Sequence, residues 1–250
     1  MIYAENVGVS YGDFRALRDL SFHVQKGQWL MVIGPNGAGK STVVKAISQG
    51  VAYSGKIFYG GQDLATLNPK DIAKDIAILS QNRYVNYDFK VEDIVALGRY
   101  AHGKGLFPRL TEDDRAMIDR ALDMTGMGQL RHKTILTLSG GEVQRCFLSR
   151  VFAQDPKLLI LDEPTNHLDL LYQKQLFELI QDWLTEDRAV ISVVHDLFLA
   201  RAYGTHGLLL GEGKGVATGS IEEILEPDCV NPVYRMDVHQ WMQSLLRCWQ

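Results

Sequence analysis

Val7, Val9 and Tyr11 alternate with smaller or polar neighbours, as do Leu20, Phe22 and Val24, the period of strands with one buried face. The turn pair Lys26-Gly27 ends the second run. Trp29–Ile33 is continuously apolar and predicts a strand covered on both faces, as in a parallel sheet. A glycine-rich stretch follows, and then Val43, Val44 and Ile47 fall at helical spacing. Residues 54–61 predict a hairpin with 56–59 as one arm, and Asn68-Pro69 predicts a helix start, a cap followed by a first-turn proline.

From about residue 91 to 153 the pattern turns helical. Thr111 with Asp114 three residues later has the form of a capping box, and Met117, Ala121 and Met124 line one face until Gly126. Alternation of strand and helix returns at residue 158. Residues 158–161 read as a strand, Tyr172, Leu176, Leu179 and Trp183 as a helical stripe, and 189–194 as a second buried strand. Residues 208–210 and 216–218 predict a hairpin, and Ser220 with Glu223 caps a short helix that Pro227 is expected to end. The chain after Asn231 carries no clear period. The order predicts an α/β core interrupted by a helical insertion.

Composition narrows the possibilities. The 250 residues are 46% hydrophobic and 22% charged, enough to bury a core. Lys and Arg number 26 against 30 Asp and Glu, a net charge of −4 without a basic surplus, so nucleic acid is not an expected partner. Cys146, Cys229 and Cys248 stand far apart and form no CxxC pair, which points to a reducing compartment. The first residues lack the basic and apolar regions of a signal peptide, and no apolar run reaches membrane-spanning length, so attachment to a membrane would need a partner.

Three segments carry chemistry. Gly34-Pro35-Asn36-Gly37-Ala38-Gly39-Lys40-Ser41-Thr42 fits G-x-x-x-x-G-K-[ST] between a buried strand and a helix. Its glycines let successive N–H groups turn toward a phosphate chain, Lys40 supplies charge to the β and γ phosphates, and Ser41 offers a hydroxyl to Mg²⁺. The strand at 158–161 runs into Asp162 and Glu163. Alone, such a pair is a solvated turn; with the phosphate loop upstream, Asp162 is expected in the Mg²⁺ shell and Glu163 on the attacking water. Leu138-Ser139-Gly140-Gly141-Glu142 opens a helix whose apolar face is Val143, Phe147 and Val151. It reads either as a capped helix start or as a second anion cradle, serving a nucleotide held by another copy of the chain.

In order and spacing, these segments together with residues 165–169 and His195-Asp196 resemble the ATP-binding cassette (ABC) ATPases, over roughly residues 1–225. Residues 95–100, Leu106-Phe107, 140–142 and 165–169 look more narrowly like import ATPases for iron–siderophore, haem and cobalamin complexes. Ala101 and Val143 stand where those importers often carry proline and a basic residue or glutamine. The resemblance implies a P-loop NTPase core with an antiparallel β subdomain (residues 1–86 and 155–230), an inserted α-helical subdomain (87–154) and a tail (231–250). It implies ATP and Mg²⁺, with Tyr11 stacked on adenine, Gln81 on Mg²⁺ and water, His195 on the γ-phosphate and Asp169 bridging two subunits. The implied partners are a second ATPase chain, identical or related, transmembrane permease subunits and, indirectly, an extracytoplasmic binding protein. The implied location is the cytoplasmic face of the membrane. Tyr84 and Tyr87 read either as part of the helical insertion's own core or, as the resemblance implies, as part of a groove for a permease helix. A soluble cassette ATPase of the iron–sulfur assembly type, or an importer of another substrate such as a metal ion, are the alternatives.

Overall fold

The alternating runs form two long strands, β1 (Ile2–Tyr11) and β2 (Phe14–Val24), and the continuous run forms β3 (Trp29–Ile33), all five of whose residues are buried. After the glycine-rich loop come helix α1 (Lys40–Ile47), the hairpin β4 (Ser54–Tyr59) and β5 (Gln62–Asp63), helix α2 (Pro69–Asp75) and strand β6 (Ile76–Leu79). The middle is helical: α3 (Val91–Ala96), a 3-10 stretch at Leu97–His102, α4 (Glu112–Met124) and α5 (Gly140–Ala153). Strand β7 (Leu158–Asp162), helix α6 (Leu170–Trp183), strand β8 (Ala189–Val193) and helix α7 (Leu197–Tyr203) follow. The hairpin β9 (His206–Gly211) and β10 (Lys214–Ser220) leads into α8 (Ile221–Ile224), α9 (Pro227–Tyr234) and α10 (Val238–Arg247). This computed structural model describes residues 1–80, 88–103, 109–166 and 168–248.

Two compact units are present. The first comprises Met1–Thr66 and Ala189–Gln250. Its antiparallel sheet has the order β2-β1-β4-β5, with Ala4 opposite both Phe22 and Ile57. Its parallel strands are β9, β3 and β8, with Leu30 opposite Ile191 on one side and His206 on the other, and β10 closes the edge antiparallel to β9. The full burial of β3 follows from that central place. Even the indole of Trp29 is satisfied inside, donating from Nε1 to Ser192 Oγ at 2.7 Å.

The second unit, Leu67–Arg188, contains the parallel pair β6 and β7 and the helices between them. Asn68 caps α2 with Pro69 in its first turn, and the Thr111–Asp114 capping box is formed, both as the sequence predicts. Gly98 lies so close to α5 that a β-carbon would collide with the Arg150 carbonyl oxygen. Beside it, Arg99 reaches inward, donating from Nε to Asp114 Oδ1 at 2.8 Å and from Nη1 to the Ala153 carbonyl at 2.9 Å. Both side chains of the pair are 10% exposed.

Three sequence expectations are corrected. The core face of α4 is Ile118, Ala121 and Leu122, while Met117 and Met124 are half-buried, because the helix turns one residue further toward its neighbours. In α6 the buried side chains are Leu176, Phe177, Ile180 and Trp183. Tyr172 is half-buried at the margin, with the Arg145 guanidinium 4.6 Å over its ring. Pro227 does not end helical structure but opens α9 at a first-turn position where its missing N–H costs nothing.

The Arg99–Asp114 pair gives a test. Burial raises the Asp114 carboxyl, but the Thr111 backbone N–H and the Arg99 guanidinium outweigh it and hold the pKa at about 2, against an ordinary 3.8. A depressed carboxylate adds stability above its unfolded pKa and loses it as pH falls through the folded value. Arg99→Met should therefore cost about 3 kcal/mol at neutral pH in urea unfolding, by stranding a buried carboxylate. The gap to the parent should narrow as pH falls from about 4 to about 2. A gap that is constant across that range would remove Asp114 as the source.

Candidate nucleotide-binding site

In the first unit, β3 delivers the chain into the loop at Gly34, which adopts φ 146° with its Cα against the Leu210 carbonyl; any β-carbon there would collide with that oxygen. Gly39 closes the loop at φ 98°, where a β-carbon would stand 2.8 Å from both the Ala16 carbonyl oxygen and Leu17 Cδ2. Between them Ala38 N–H donates to the Pro35 carbonyl at 3.2 Å, and Asn36 and Gly37 form an exposed tip. Lys40 begins α1 and is only 5% exposed. Its Nζ donates to the Gly34 carbonyl at 2.8 Å and the Pro35 carbonyl at 2.9 Å, so the ammonium is held across the mouth of the loop by the loop's own backbone. Ser41 and Thr42 are half-buried in the first turn, which carries no acidic side chain of its own and presents the positive end of the helix dipole.

Tyr11 ends β1 at 44% exposure, with Lys45 Nζ 6.0 Å above its ring. A partly exposed ring beside α1 can stack on a flat base. His195 is exposed two residues beyond β8, and Asp196 caps α7 by accepting from Phe198 N at 2.7 Å.

The second unit holds the carboxylates and the other cradle. Asp162 is the last residue of β7, 8% exposed. Glu163 follows in the left-handed region at φ 52°, half-buried. Asn166 Nδ2 donates to Glu163 Oε2 at 2.6 Å and so fixes the carboxylate's orientation. Sequence reasoning gave Asn166 no role; its position three residues after Glu163 at a strand-end turn was the available signal. Gln144 Nε2 donates to the Pro164 carbonyl at 2.6 Å, tying α5 to the same turn.

Ser139 caps α5. Its N–H and its hydroxyl both donate to Glu142 Oε2, at 2.7 and 2.9 Å, and its oxygen accepts from Glu142 N at 3.4 Å. The Ser139 backbone N–H, then its hydroxyl, hold the Glu142 carboxyl below the usual range. Gly140 and Gly141 make up the first turn without side chains to cover it, Gly140 having no atom within 4 Å of a would-be β-carbon. The first of the two expected readings, a capped helix start, is formed as a capping box, and the two glycines leave the helix start open beside it. Asp169 is exposed and caps α6, accepting from Tyr172 N at 2.9 Å. Gln81, Tyr84, Tyr87, Leu106-Phe107 and His167 lie outside the described residues.

No cluster of three His, Cys, Asp or Glu side chains among the described residues forms a metal cage. In the first unit Ser41 offers a hydroxyl and in the second Asp162 a buried carboxylate, each a hard oxygen donor of the kind Mg²⁺ accepts. No helix of the described residues is long and apolar enough to cross a membrane. Cys146 is buried in α5, its thiol pushed up to about 12 by burial, which makes it unreactive.

Comparison with known proteins agrees with this geometry. The iron(3+)-hydroxamate import ATP-binding protein FhuC of Bacillus subtilis is 36% identical over 235 residues, covering 93% of this chain and 87% of that protein. The ferric enterobactin transport ATP-binding protein FepC of Escherichia coli is 34% identical over 232 residues, covering 92% and 85%. Among solved structures, a metal-chelate type ABC transporter in an inward-facing conformation matches with a TM-score of 0.81 at 28% identity, over 94% of this chain and 88% of that one. Residues 17–166 match the family described as ABC transporter, and the chain belongs to that family.

Proposed function

We propose that this chain is the ATP-binding and ATP-hydrolysing subunit of an importer for a metal chelate such as an iron–siderophore, haem or cobalamin complex. The observation that supports the reading is that the chain carries two helix starts with donors suited to an anion: Lys40 at the loop, now on the Gly34 carbonyl, and Ser139, whose N–H and hydroxyl are now taken by Glu142 in a capping box. One nucleotide needs one phosphate loop, so the second cradle serves the nucleotide of another chain. Two copies, or this chain and a relative, pair head-to-tail, each ATP lying between residues 34–42 of one and 139–142 of the other. Asp169 bridges the pair. The chelate-import class rests on the relatives named above and on the resemblance of residues 95–100.

Within a site, the loop amides and Lys40 bind the β and γ phosphates, and Tyr11 stacks on the base. Ser41, Asp162 and Gln81 would hold Mg²⁺, which when bound neutralises charge on the phosphate oxygens. Glu163, aimed by Asn166, orients and polarises the attacking water, and His195 contacts the γ-phosphate. Binding closes the pair and hydrolysis reopens it, moving the helical segment 87–154 against permease subunits. The chain works on the cytoplasmic face of the membrane, held by that permease, and an extracytoplasmic binding protein delivers the cargo.

Glu163→Gln should lower kcat by about 100-fold or more while leaving ATP affinity within about twofold, because it removes the carboxylate and keeps the shape. The trapped ATP should hold two chains together, visible as an ATP-dependent dimer in size-exclusion chromatography. Hydrolysis near the parent rate would remove Glu163 from its role.

Ser139→Arg fills the second cradle. It should abolish hydrolysis yet leave ATP binding by the monomer intact, and mixing it with Lys40→Ala should restore at most one competent site per dimer. Normal hydrolysis by Ser139→Arg would overturn the head-to-tail arrangement. The import assignment is tested by purifying the chain with its integral membrane partner and measuring ATP-driven uptake of a ferric chelate into vesicles; uptake of no chelate would sink it.

A further inference from the structure

We infer that Tyr234, the last residue of helix α9, is a positioning residue for the phosphate loop, acting on Lys40 through the backbone of Gly34. The inference rests on the reading of residues 34–42 as the nucleotide site. It assigns to the tail a part in that site that neither the loop motif nor the family match at residues 17–166 contains.

Helix α9 reaches the loop by way of β9. A β-carbon on Gly211 would meet Val233 Cγ1 at 3.6 Å, so the end of α9 lies directly on the end of β9. The preceding residue of that strand, Leu210, is the one whose carbonyl backs Gly34. Arg235, in the left-handed region at φ 56°, stops the helix and pairs with Glu212 at 2.9 Å. Both partners are more than 80% exposed, so that ion pair does little to hold the helix; it is held by the buried Val230, with Val233 and Tyr234 half-buried beside it.

The Tyr234 phenol oxygen is buried and has no hydrogen bond of good geometry. The backbone group that faces it is the Gly34 N–H. A buried hydroxyl without a well-formed partner is costly and uncommon in native proteins. The same end of α9 walls a cleft of about 710 Å³ whose opposite wall is the loop itself, Pro35 to Ala38. The phenol therefore sits where the loop has room to adjust.

Two peptide planes meet at Gly34. The N–H of one faces Tyr234, and the carbonyl of the other accepts from Lys40 Nζ at 2.8 Å. The Leu210 carbonyl blocks movement on a third side. When a triphosphate enters, Lys40 turns from the Gly34 carbonyl to phosphate, and the peptide it leaves is free to rotate. The phenol then accepts the Gly34 N–H and holds the entry of the loop in its phosphate-binding form. Its contribution is to nucleotide affinity; it touches no reacting atom.

Tyr234→Phe removes the oxygen and keeps the ring. The expected result is an ATP Kd raised about threefold to tenfold, the range of one hydrogen bond. The kcat at saturating ATP should stay within about twofold and the thermal midpoint should be unchanged. Tyr234→Ala should weaken ATP binding to a similar degree once its lower stability is allowed for by measuring well below its midpoint. If Tyr234→Phe binds ATP as the parent does and only Tyr234→Ala is impaired, the residue merely packs and the inference is wrong. Lys40→Ala separates this failure from a failure of the underlying reading. If Lys40→Ala loses ATP and Tyr234→Phe does not, only the role of Tyr234 falls. If neither variant nor parent differs in ATP binding, residues 34–42 are not the nucleotide site and both fall.

Discussion

Lys40 is a primary ammonium that is 5% exposed, and burying such a group without compensation is prohibitive. The compensation visible here is two carbonyls, of Gly34 and Pro35, at 2.8 and 2.9 Å. For those carbonyls to point inward the chain must double back within six residues, which forces Gly34 and Gly39 to positive φ and forbids a β-carbon at either. The return also needs fixed anchors on both sides. A fully buried β3 supplies one, and α1, with Val43, Val44, Ala46 and Ile47 buried, supplies the other. The buried charge, the glycines and the central strand are thus one constraint, because the glycines and the strand set the two carbonyls against the ammonium.

The second cradle follows the same logic with the signs reversed. Ser139 presents an N–H and a hydroxyl that would be orphaned at a helix start, and the Glu142 carboxylate satisfies both. In each place the chain's own oxygens occupy the donors: backbone carbonyls on the Lys40 ammonium in one, the Glu142 carboxylate on Ser139 in the other. Neither is a preformed void waiting for phosphate. Nucleotide binding exchanges internal hydrogen bonds for external ones, so affinity is set by a difference between two well-satisfied states.

Much of this was legible in the sequence because it is local. A continuous apolar run, glycines at fixed spacing and a lysine at the next helix start specify strand, loop and helix without reference to the rest of the chain. The caps at Asn68, Thr111 and Ser220 were equally plain, since each needs only a residue and its neighbour two or three positions on. What escaped was set by packing. Which side of α4 faces inward depends on where α3 and α5 lie, and a pattern of Met117, Ala121 and Met124 does not distinguish that from a face rotated by one residue. Pro227 was misread because a proline both ends one helix and opens the next, and only the three-dimensional path of the chain decides between them. The grip of Asn166 on Glu163 depends on a left-handed glutamate that no local rule foretells.

A phosphate loop is dictated by phosphate, so its sequence is nearly self-explanatory. Its backing is dictated by whatever the remainder of the chain brings alongside. Here the backing comes from β9 and α9: the Leu210 carbonyl against Gly34, Val233 against Gly211, and the Tyr234 phenol at the Gly34 amide. These residues lie more than 170 positions from the loop, at separations where no motif operates, and their side chains have no chemistry that would mark them in a linear reading. A loop held only by its own backbone and one lysine needs a support that does not move with it. A helix pinned on the last residue of a buried strand, rather than another loop, meets that requirement. The division between a recognisable motif and an unrecognisable support follows from what each must do: one meets a fixed ligand, the other meets only its own protein.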